Sequence, residues 1–177
     1  MKVLFLDLTI DSIPVVLVVI YSRDKYPAFV SGASANPSAR LAALKALDEA
    51  ETMLILATQE KGENNIDAAN VHSPMDHGRL FFKTENLVQI EWLLNPSNST
   101  KTTAKIEIGD LLNKFNPITV DITPVSPQCG IKVYRALSEN LLPIHFGTST
   151  GHTRHSRFEV VGFNWRQEIF SFPHFFA

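Results

Sequence analysis

The stretch YPAFVSGASANPSARLAALKALDEAETMLILAT, residues 26–58, decides the fold of this chain. An apolar run ends at Gly32, and the small residues after it permit a tight turn of the backbone. Asn36 followed by Pro37 is the pattern of a helix N-cap and a first helical position. The stretch therefore predicts a strand that stops at Gly32, a turn, and a helix that begins at Pro37 and includes residues 39–54.

The glycine and serine residues of this turn allow two interpretations. Backbone N–H groups at the start of a helix can bind an anion, so the turn is a candidate phosphate cradle. Most junctions of this kind only connect two elements, and neither a Walker spacing nor a dinucleotide-binding spacing occurs here. The sequence favours a plain connection and leaves the phosphate cradle as the alternative.

The predicted helix has an apolar face and a polar face at about 100° per residue. Lys45 and Glu49 lie four residues apart on the polar face, which predicts a surface ion pair contributing a few tenths of a kcal/mol. The alternative is that Glu49 faces a cleft. The apolar positions are Ala43, Ala46, Leu47, Ala50, Met53 and Leu54, and the polar ones are Lys45, Asp48, Glu49 and Thr52.

Composition limits the classes of protein that this chain can represent. Its 177 residues fit a single domain, residues 1–177, and its net charge of −2 gives no electrostatic footprint for nucleic acid or an anionic membrane. Cys129, the single cysteine, cannot form an internal disulfide, which fits a reducing compartment. The apolar run 13–21 is too short to span a bilayer. We therefore expect a cytoplasmic protein without nucleic-acid or membrane partners.

The rest of the chain predicts an α/β (α+β) fold in which helices pack on a mixed β-sheet. Apolar runs predict strands at 3–8, 14–21, 28–31, 118–122 and 131–136. Helical spacing predicts helices over 79–94 and 104–115, centred on Ile90 and Leu111, besides the one centred on Leu47. The second and third strands are expected to form a hairpin, and the C-terminal strands to join the N-terminal ones in one sheet. Residues 59–65 and 67–77 are polar and predict a surface excursion.

The histidines and arginines near the C-terminus are candidate ligands. His152 and His155 are a close pair, but no cysteine or carboxylate nearby completes a zinc site, so no metal site is predicted. Arg154 and Arg157 have the chemistry to bind phosphate or carboxylate, or are simply solvated. A G-x-S-x-G nucleophile elbow does not occur, so a serine hydrolase is only a weak default.

Three segments, taken together and in order, resemble the YcaO-domain family. The first is DLTIDSIPVVLVVIY followed by FVSGASANPSARLAALKALDEAE, which is similar to the family's glycine-containing strand, loop and helix. The second, VDITPVSPQCGIKVYRALSENLLPIHFG, is similar to its VD-x-T turn, GxxVxR strand and P-x-x-FG segment. The third, FPHFFA, resembles the PHPFP tail of many azoline-forming members. The resemblance covers most of the chain.

The resemblance implies an ATP-dependent cyclodehydratase or thioamidation activity on peptide backbones. In such a reaction a peptide carbonyl oxygen is phosphorylated after attack by a Cys, Ser or Thr side chain or by a sulfide donor. ATP and Mg²⁺ are the implied cofactors, and a peptide is the implied substrate. By resemblance, Glu49 in ALDEAE matches an acidic ligand of the nucleotide–magnesium site, and Arg135 in KVYRAL matches an arginine that meets phosphate.

The chain also departs from the family pattern. Thr52 stands where the family's helix commonly has a glutamine, and Phe175 and Ala177 stand where the tail commonly has prolines. The chain resembles the C-terminal half of the domain, so we expect it to be inactive alone and to need the N-terminal half or a partner protein. Which residues are catalytic is not indicated, and azoline and thioamide chemistry both stay open.

A partial domain leaves two classes of function open. One is an enzyme portion, from a split gene or a longer chain; the other is a non-catalytic remnant or protein-interaction module that keeps the fold. An upstream reading frame encoding the other half would favour the enzyme, and a decayed neighbour would favour the remnant. In either case we expect an exposed apolar surface that docks a partner or a second copy, with residues 15–20 contributing to it.

Overall fold

The computed structural model describes residues 1–9, 13–60, 66–95, 108–124, 130–141 and 173–174. The chain divides into two compact units, and each is described by itself. The first comprises Met1–Lys105, His145–Thr150 and Ile169–Ala177, and the second comprises Ile106–Ile144 and Gly151–Glu168. Across the described ranges, no helix combines the length and the apolar character needed to cross a membrane.

The first unit is built on a three-stranded antiparallel sheet. Its strands are β1 (Lys2–Asp7), β2 (Val15–Tyr21) and β3 (Phe29–Ala35), in the spatial order β1-β2-β3. The predicted hairpin of the second and third strands is confirmed by their antiparallel register. Leu17, Val18 and Val19 in the central strand are fully buried, which fits a strand covered on both faces.

Helical layers cover the two faces of this sheet. Helix α1 (Ala39–Glu60) packs on β2 and β3, where Val18 and Val30 meet its alanines. The opposite face, which carries Leu17 and Val19, packs against a layer formed by residues 66–94. That layer consists of α2 (Pro74–Leu80), α3 (Glu91–Leu94) and two 3₁₀ turns, Ala68–Asn70 and Thr84–Ile90.

This burial changes the expected position of the exposed apolar surface. The prediction that residues 15–20 contribute to it is wrong, because β2 is the central strand and is covered by α1 and by the opposite layer. The exposed apolar side chains of the sheet belong instead to Val3 and Phe5 of β1. Strand β1 lies at an edge of the sheet, beyond the strands on which α1 packs.

Gly32 lies inside a strand and does not end it. The prediction of a break there is wrong, because β3 continues through Gly32 to Ala35. A Cβ atom at Gly32 would overlap the carbonyl oxygen of Ala46 and lie 2.5 Å from the amide nitrogen of Ala50. The glycine is therefore required for the close approach of two backbones, that of β3 and that of α1.

Helix α1 begins two residues later than its sequence pattern predicts. Ser38 precedes the first helical residue, and its carbonyl oxygen accepts a hydrogen bond from the N–H of Ala42 at 2.9 Å. The Ser38 hydroxyl accepts a longer one from the N–H of Leu41 at 3.4 Å. The side chain of Asn36 accepts from the N–H of Ser38 at 2.9 Å, so Asn36 forms an Asx turn before the helix rather than its N-cap.

The predicted helix over 79–94 is not continuous. Helix α2 ends at Leu80, a 3₁₀ turn follows, and α3 provides only the last turn. The amide of Asn86 donates to the carbonyl oxygen of Leu80 at 2.6 Å, which stabilises this interruption. The apolar positions of the predicted helix are nevertheless all buried: Leu80, Phe81, Leu87, Ile90, Leu93 and Leu94.

The polar segment before α2 is only partly a surface excursion. Helix α1 extends to Glu60, and α2 already begins at Pro74, so both ends of the predicted excursion are helical. Val71 and His77 within it are buried against the first unit's core. Because the segment is mostly polar, its sequence did not indicate that these two side chains are buried.

The second unit contains α4 (Ile108–Phe115) and an antiparallel pair of strands, β4 (Ile118–Asp121) and β5 (Tyr134–Leu137). The α+β class is confirmed. The prediction that these strands join the N-terminal ones is wrong for the described residues, where the strands form two separate sheets. Every pairing is antiparallel between sequence neighbours, as short connections favour. Residues 104–107 of the helix predicted over 104–115 lie outside the described ranges.

We expect Gly32→Ala to destabilise the protein strongly. The new methyl group meets backbone atoms of α1, which cannot rotate away, so the helix must shift on the sheet. Overpacking of this kind costs about 3 kcal/mol of unfolding free energy, measured by urea denaturation followed by circular dichroism. Gly109→Ala is the matched control, since a Cβ there meets nothing within 4 Å. Equal stability of the two variants would contradict the role assigned to Gly32.

Candidate functional site

The carboxylate of Glu49 is held against the outer edge of β3. Its Oε2 atom accepts a hydrogen bond from the backbone N–H of Ala33 at 2.7 Å. This contact forms because Gly32 lets α1 lie close to β3, which brings position 49 of the helix next to the strand. The sequence left open a surface ion pair with Lys45 or a carboxylate that faces a cleft. The structure shows the carboxylate directed at the backbone of β3.

This arrangement leaves Glu49 able to act as an oxygen ligand. The residue is exposed, and only its Oε2 atom is engaged by the strand. Carboxylates that bind metal ions are commonly fixed by hydrogen bonds of this kind, and Mg²⁺ prefers oxygen ligands. Within the described part of the chain, however, no group of three or more His, Cys, Asp or Glu side chains converges. Glu49 therefore stands in the described part of the chain without such a group around it.

Thr52 is turned back on its own helix. Its hydroxyl donates to the carbonyl oxygen of Asp48 at 2.8 Å, one turn earlier in α1. This contact keeps the short side chain close to the helix backbone. The hydroxyl is therefore engaged by the helix itself at the position where the family pattern commonly has a glutamine.

Arg135 lies on β5 in the second unit. It is opposite Val120 of β4, and its side chain is exposed. Glu49 belongs to the first unit, so the two residues matched by resemblance are held by different units of the chain. The structure gives each of them a well-defined backbone position, on a helix and on a strand.

Several residues considered from the sequence lie outside the described ranges. They are Cys129, His152, Arg154, His155, Arg157, Phe175 and Ala177. The expectations attached to these residues stay predictions.

A charged cluster joins the end of α1 to α2. The guanidinium of Arg79 donates to both carboxylate oxygens of Glu60, at 2.9 and 2.7 Å, and to Asp76 at 3.4 Å. The hydrogen bond with Glu60, which dominates, raises the pKa of Arg79. This bidentate pair fixes the last turn of α1 on α2 and explains why the helix runs on to Glu60.

Asp76 also forms a capping box at the start of α2. The backbone N–H of Asp76 donates a hydrogen bond to the Ser73 hydroxyl at 3.3 Å, and the Asp76 carboxylate accepts one from the backbone N–H of Ser73 at 2.9 Å. The interaction with the Ser73 side chain lowers the pKa of Asp76, and the N–H groups of His72 and Ser73 and the charge of Arg79 act in the same direction. Sequence reasoning missed this cap, although S-x-x-D before an apolar run was a readable signal.

His77 and His174 form a contact that local sequence patterns did not indicate. Their rings stack with centroids 3.9 Å apart, and Nδ1 of His77 lies 2.7 Å from the carbonyl oxygen of His174. Since a carbonyl only accepts, Nδ1 of His77 carries the proton of this hydrogen bond. The contact attaches part of the segment FPHFFA to the fully buried His77 of α2.

Comparison with known families shows the family to which this chain belongs. A family model described as YcaO cyclodehydratase, ATP- and Mg²⁺-binding, matches residues 1–142. The chain belongs to the YcaO family. The resemblance to this family is thereby confirmed, while the segment FPHFFA lies beyond the matched residues. Neither a curated protein nor a solved structure matched the chain.

We expect Asp76→Ala to reduce the unfolding free energy by about 1 kcal/mol at pH 7, the usual contribution of a helix cap. Because the pKa of Asp76 is lower in the folded than in the unfolded state, its contribution is fully present above the unfolded-state pKa, near 3.9. It is lost as the pH falls through the folded-state pKa. The difference from wild type should therefore shrink below about pH 4, as measured by urea denaturation across pH.

Asp67→Ala is the matched control, because Asp67 precedes a 3₁₀ turn without a side-chain cap hydrogen bond. This control should change stability little at any pH. A deficit of Asp76→Ala that is as large at pH 3 as at pH 7 would contradict a contribution from the ionised carboxylate.

Proposed function

We propose that this chain contributes part of the nucleotide–magnesium site of a YcaO-type protein that activates peptide-backbone amides with ATP. The product is an azoline when a side chain attacks the amide, or a thioamide when a sulfide donor does. Membership of the family supports the general activity. The observation that carries the proposal for this chain is the Glu49 carboxylate, fixed by the N–H of Ala33 and exposed on its other side.

Glu49 and Arg135 have complementary tasks in this proposal. Glu49 offers its free oxygen to Mg²⁺, and the hydrogen bond to Ala33 orients the carboxylate before the ion arrives. Arg135, whose guanidinium keeps its charge and donates in a planar fork, binds phosphate oxygens. Mg²⁺, when bound, neutralises negative charge on the phosphates of the nucleotide. The protein's own contribution is position and charge stabilisation.

The remaining ligands are assigned to the other half of the domain. Mg²⁺ requires near-octahedral coordination by oxygen, and the described residues provide Glu49 without two further acidic or histidine groups around it. We therefore propose that the other half of the domain, supplied by a longer chain or by a partner protein, completes the site. The isolated chain is then inactive and binds Mg-ATP weakly.

The expected thermal behaviour follows from ligand linkage. A ligand at 100 times its dissociation constant stabilises the folded state by about 2.7 kcal/mol, and each kcal/mol raises Tm by about 2–4 °C at this size. We expect no clear change of Tm with millimolar Mg-ATP for the isolated chain. When the chain is combined with the polypeptide that carries the other half of the domain, millimolar Mg-ATP should raise Tm by about 5 °C or more. Strong stabilisation of the isolated chain would contradict the incomplete site.

A matched pair of variants tests the residue itself. In the reconstituted protein, Glu49→Gln should weaken Mg-ATP binding by about tenfold or more, because it removes a metal-binding charge. The amide oxygen still accepts from Ala33, so the fold should be kept. Glu51→Gln, an exposed change of the same charge on the same helix, should bind as wild type in isothermal titration calorimetry.

The same binding measurements also distinguish the two classes of function. Unchanged binding by Glu49→Gln would contradict the assignment of that residue while leaving an ATP-dependent enzyme in place. A reconstituted protein that does not bind Mg-ATP at all would favour the alternative, a non-catalytic interaction module with a YcaO fold.

A further inference from the structure

The hairpin of β4 and β5 sorts its side chains onto two different faces. Residues that lie directly opposite each other in an antiparallel pair share a face, and Val120 lies opposite Arg135. The N–H of Ile122 donates to the carbonyl oxygen of Val133 at 2.9 Å, which continues the ladder beyond β4. One face therefore surrounds Arg135 with aliphatic side chains. They are Ile118, Val120, Ile122, Val133 and Leu137.

The other face of the hairpin is mainly polar. It carries Thr119, Asp121 and Tyr134, and the carboxylate of Asp121 lies 4.0 Å from Nζ of Lys132. An antiparallel sheet with this division commonly packs on other structure through its apolar face and meets water with its polar face. The alternation of the two strands is thus that of a sheet with one face to be covered.

The apolar face is exposed in this structure. The exposed fractions of its aliphatic side chains range from 40% for Val120 to 68% for Ile118. A two-stranded hairpin is at best marginally stable by itself and needs packing against a further element. Contiguous exposed apolar patches commonly mark interaction sites. The hairpin therefore gains stability when a partner covers this face.

The size and the charge of the face disfavour a second copy of the chain as that partner. Stable interfaces use about 20–30 residues from each side, whereas this face is one side of two four-residue strands and their continuation. Pairing the face with itself about a two-fold axis would also bring two Arg135 guanidinium groups into one small apolar interface. A partner that brings further surface and tolerates the charge fits better.

Arg135 determines what accompanies the covering partner. Among the described residues, its guanidinium makes neither a hydrogen bond nor an ion pair. Burial of a charge without a counter-charge is strongly unfavourable, so an anion has to enter the interface with the partner. In the function proposed above, this anion is a phosphate group of the nucleotide. The nucleotide phosphates then lie at the apolar face.

We propose that the other half of the YcaO domain covers the apolar face of the hairpin. The inference rests on the proposed function, in which the nucleotide held by Arg135 also carries Mg²⁺. The remaining oxygen ligands of that ion have to lie about 2.1 Å from it. The polypeptide that supplies them therefore reaches the nucleotide at the face that carries Arg135. It covers the aliphatic side chains around this residue, and the phosphate neutralises the guanidinium.

Isothermal titration calorimetry with the other half of the domain, expressed as a separate polypeptide, tests the docking surface. Ile118→Gln/Leu137→Gln places neutral amides at an opposed apolar pair and should weaken association by about tenfold or more, because amides buried without partners are costly. Thr119→Gln/Ala136→Gln makes the same change at the adjacent opposed pair on the other face and should bind as wild type. All four positions are exposed, and circular dichroism verifies that both variants are folded.

Titration with and without Mg-ATP separates this inference from the proposed function. Mg-ATP should strengthen wild-type association by about tenfold or more, because the phosphate neutralises Arg135 in the covered face. Loss of this nucleotide effect alone would contradict the phosphate contact of Arg135 and support the docking surface by itself. Absence of wild-type association, or equal association of the two double variants, would overturn the docking surface even where Mg-ATP binds as proposed.

Sedimentation equilibrium of the isolated chain tests the other occupant. We expect no dimer that depends on this face. A dimer that dissociates in Ile118→Gln/Leu137→Gln and persists in Thr119→Gln/Ala136→Gln would assign the face to a second copy and overturn the proposal.

Discussion

The close contact between Gly32 and the backbone of α1 is the constraint on which the first unit depends. It fixes how near the helix lies to β3, and the alanines at the helix surface, Ala46 and Ala50, keep that distance short. At this separation the side chain of Glu49, one residue before Ala50 on the helix, reaches the backbone of β3. The packing of the core and the position of the candidate ligand Glu49 thus have one cause.

Much of the fold was predictable because its elements are strongly patterned. Apolar runs identified the strands, and spacing identified the long helix and the buried positions before residue 95. The role of Gly32 was not predictable, since a glycine that allows a turn and one that allows close packing look alike in a sequence. The N-cap was displaced from Asn36 to Ser38 for a similar reason: both residue types serve equally in caps and turns.

The candidate site was predictable only in part. Family resemblance indicated Glu49 as a candidate ligand of the nucleotide–magnesium site. Its hydrogen bond to Ala33 depends on a helix–strand distance that no local sequence pattern encodes. The contact of His77 with His174 joins residues 97 positions apart, and the buried histidine stood in a segment that reads as polar surface. Such contacts depend on tertiary structure, which overrides the local composition of the segment.

The hydrogen bond from Ala33 to Glu49 has a consequence for the size of any assembly. A sheet with two open edges can add strands at both and grow without limit, as fibrils do. Here the Glu49 carboxylate occupies the outward N–H of Ala33 on the β3 edge, so a strand that adds at this edge must first displace it. Addition of a strand is therefore disfavoured at this edge, as it is at other edges that carry a charged side chain. The carboxylate thus protects the edge against unwanted strand pairing, in addition to any part it has in chemistry.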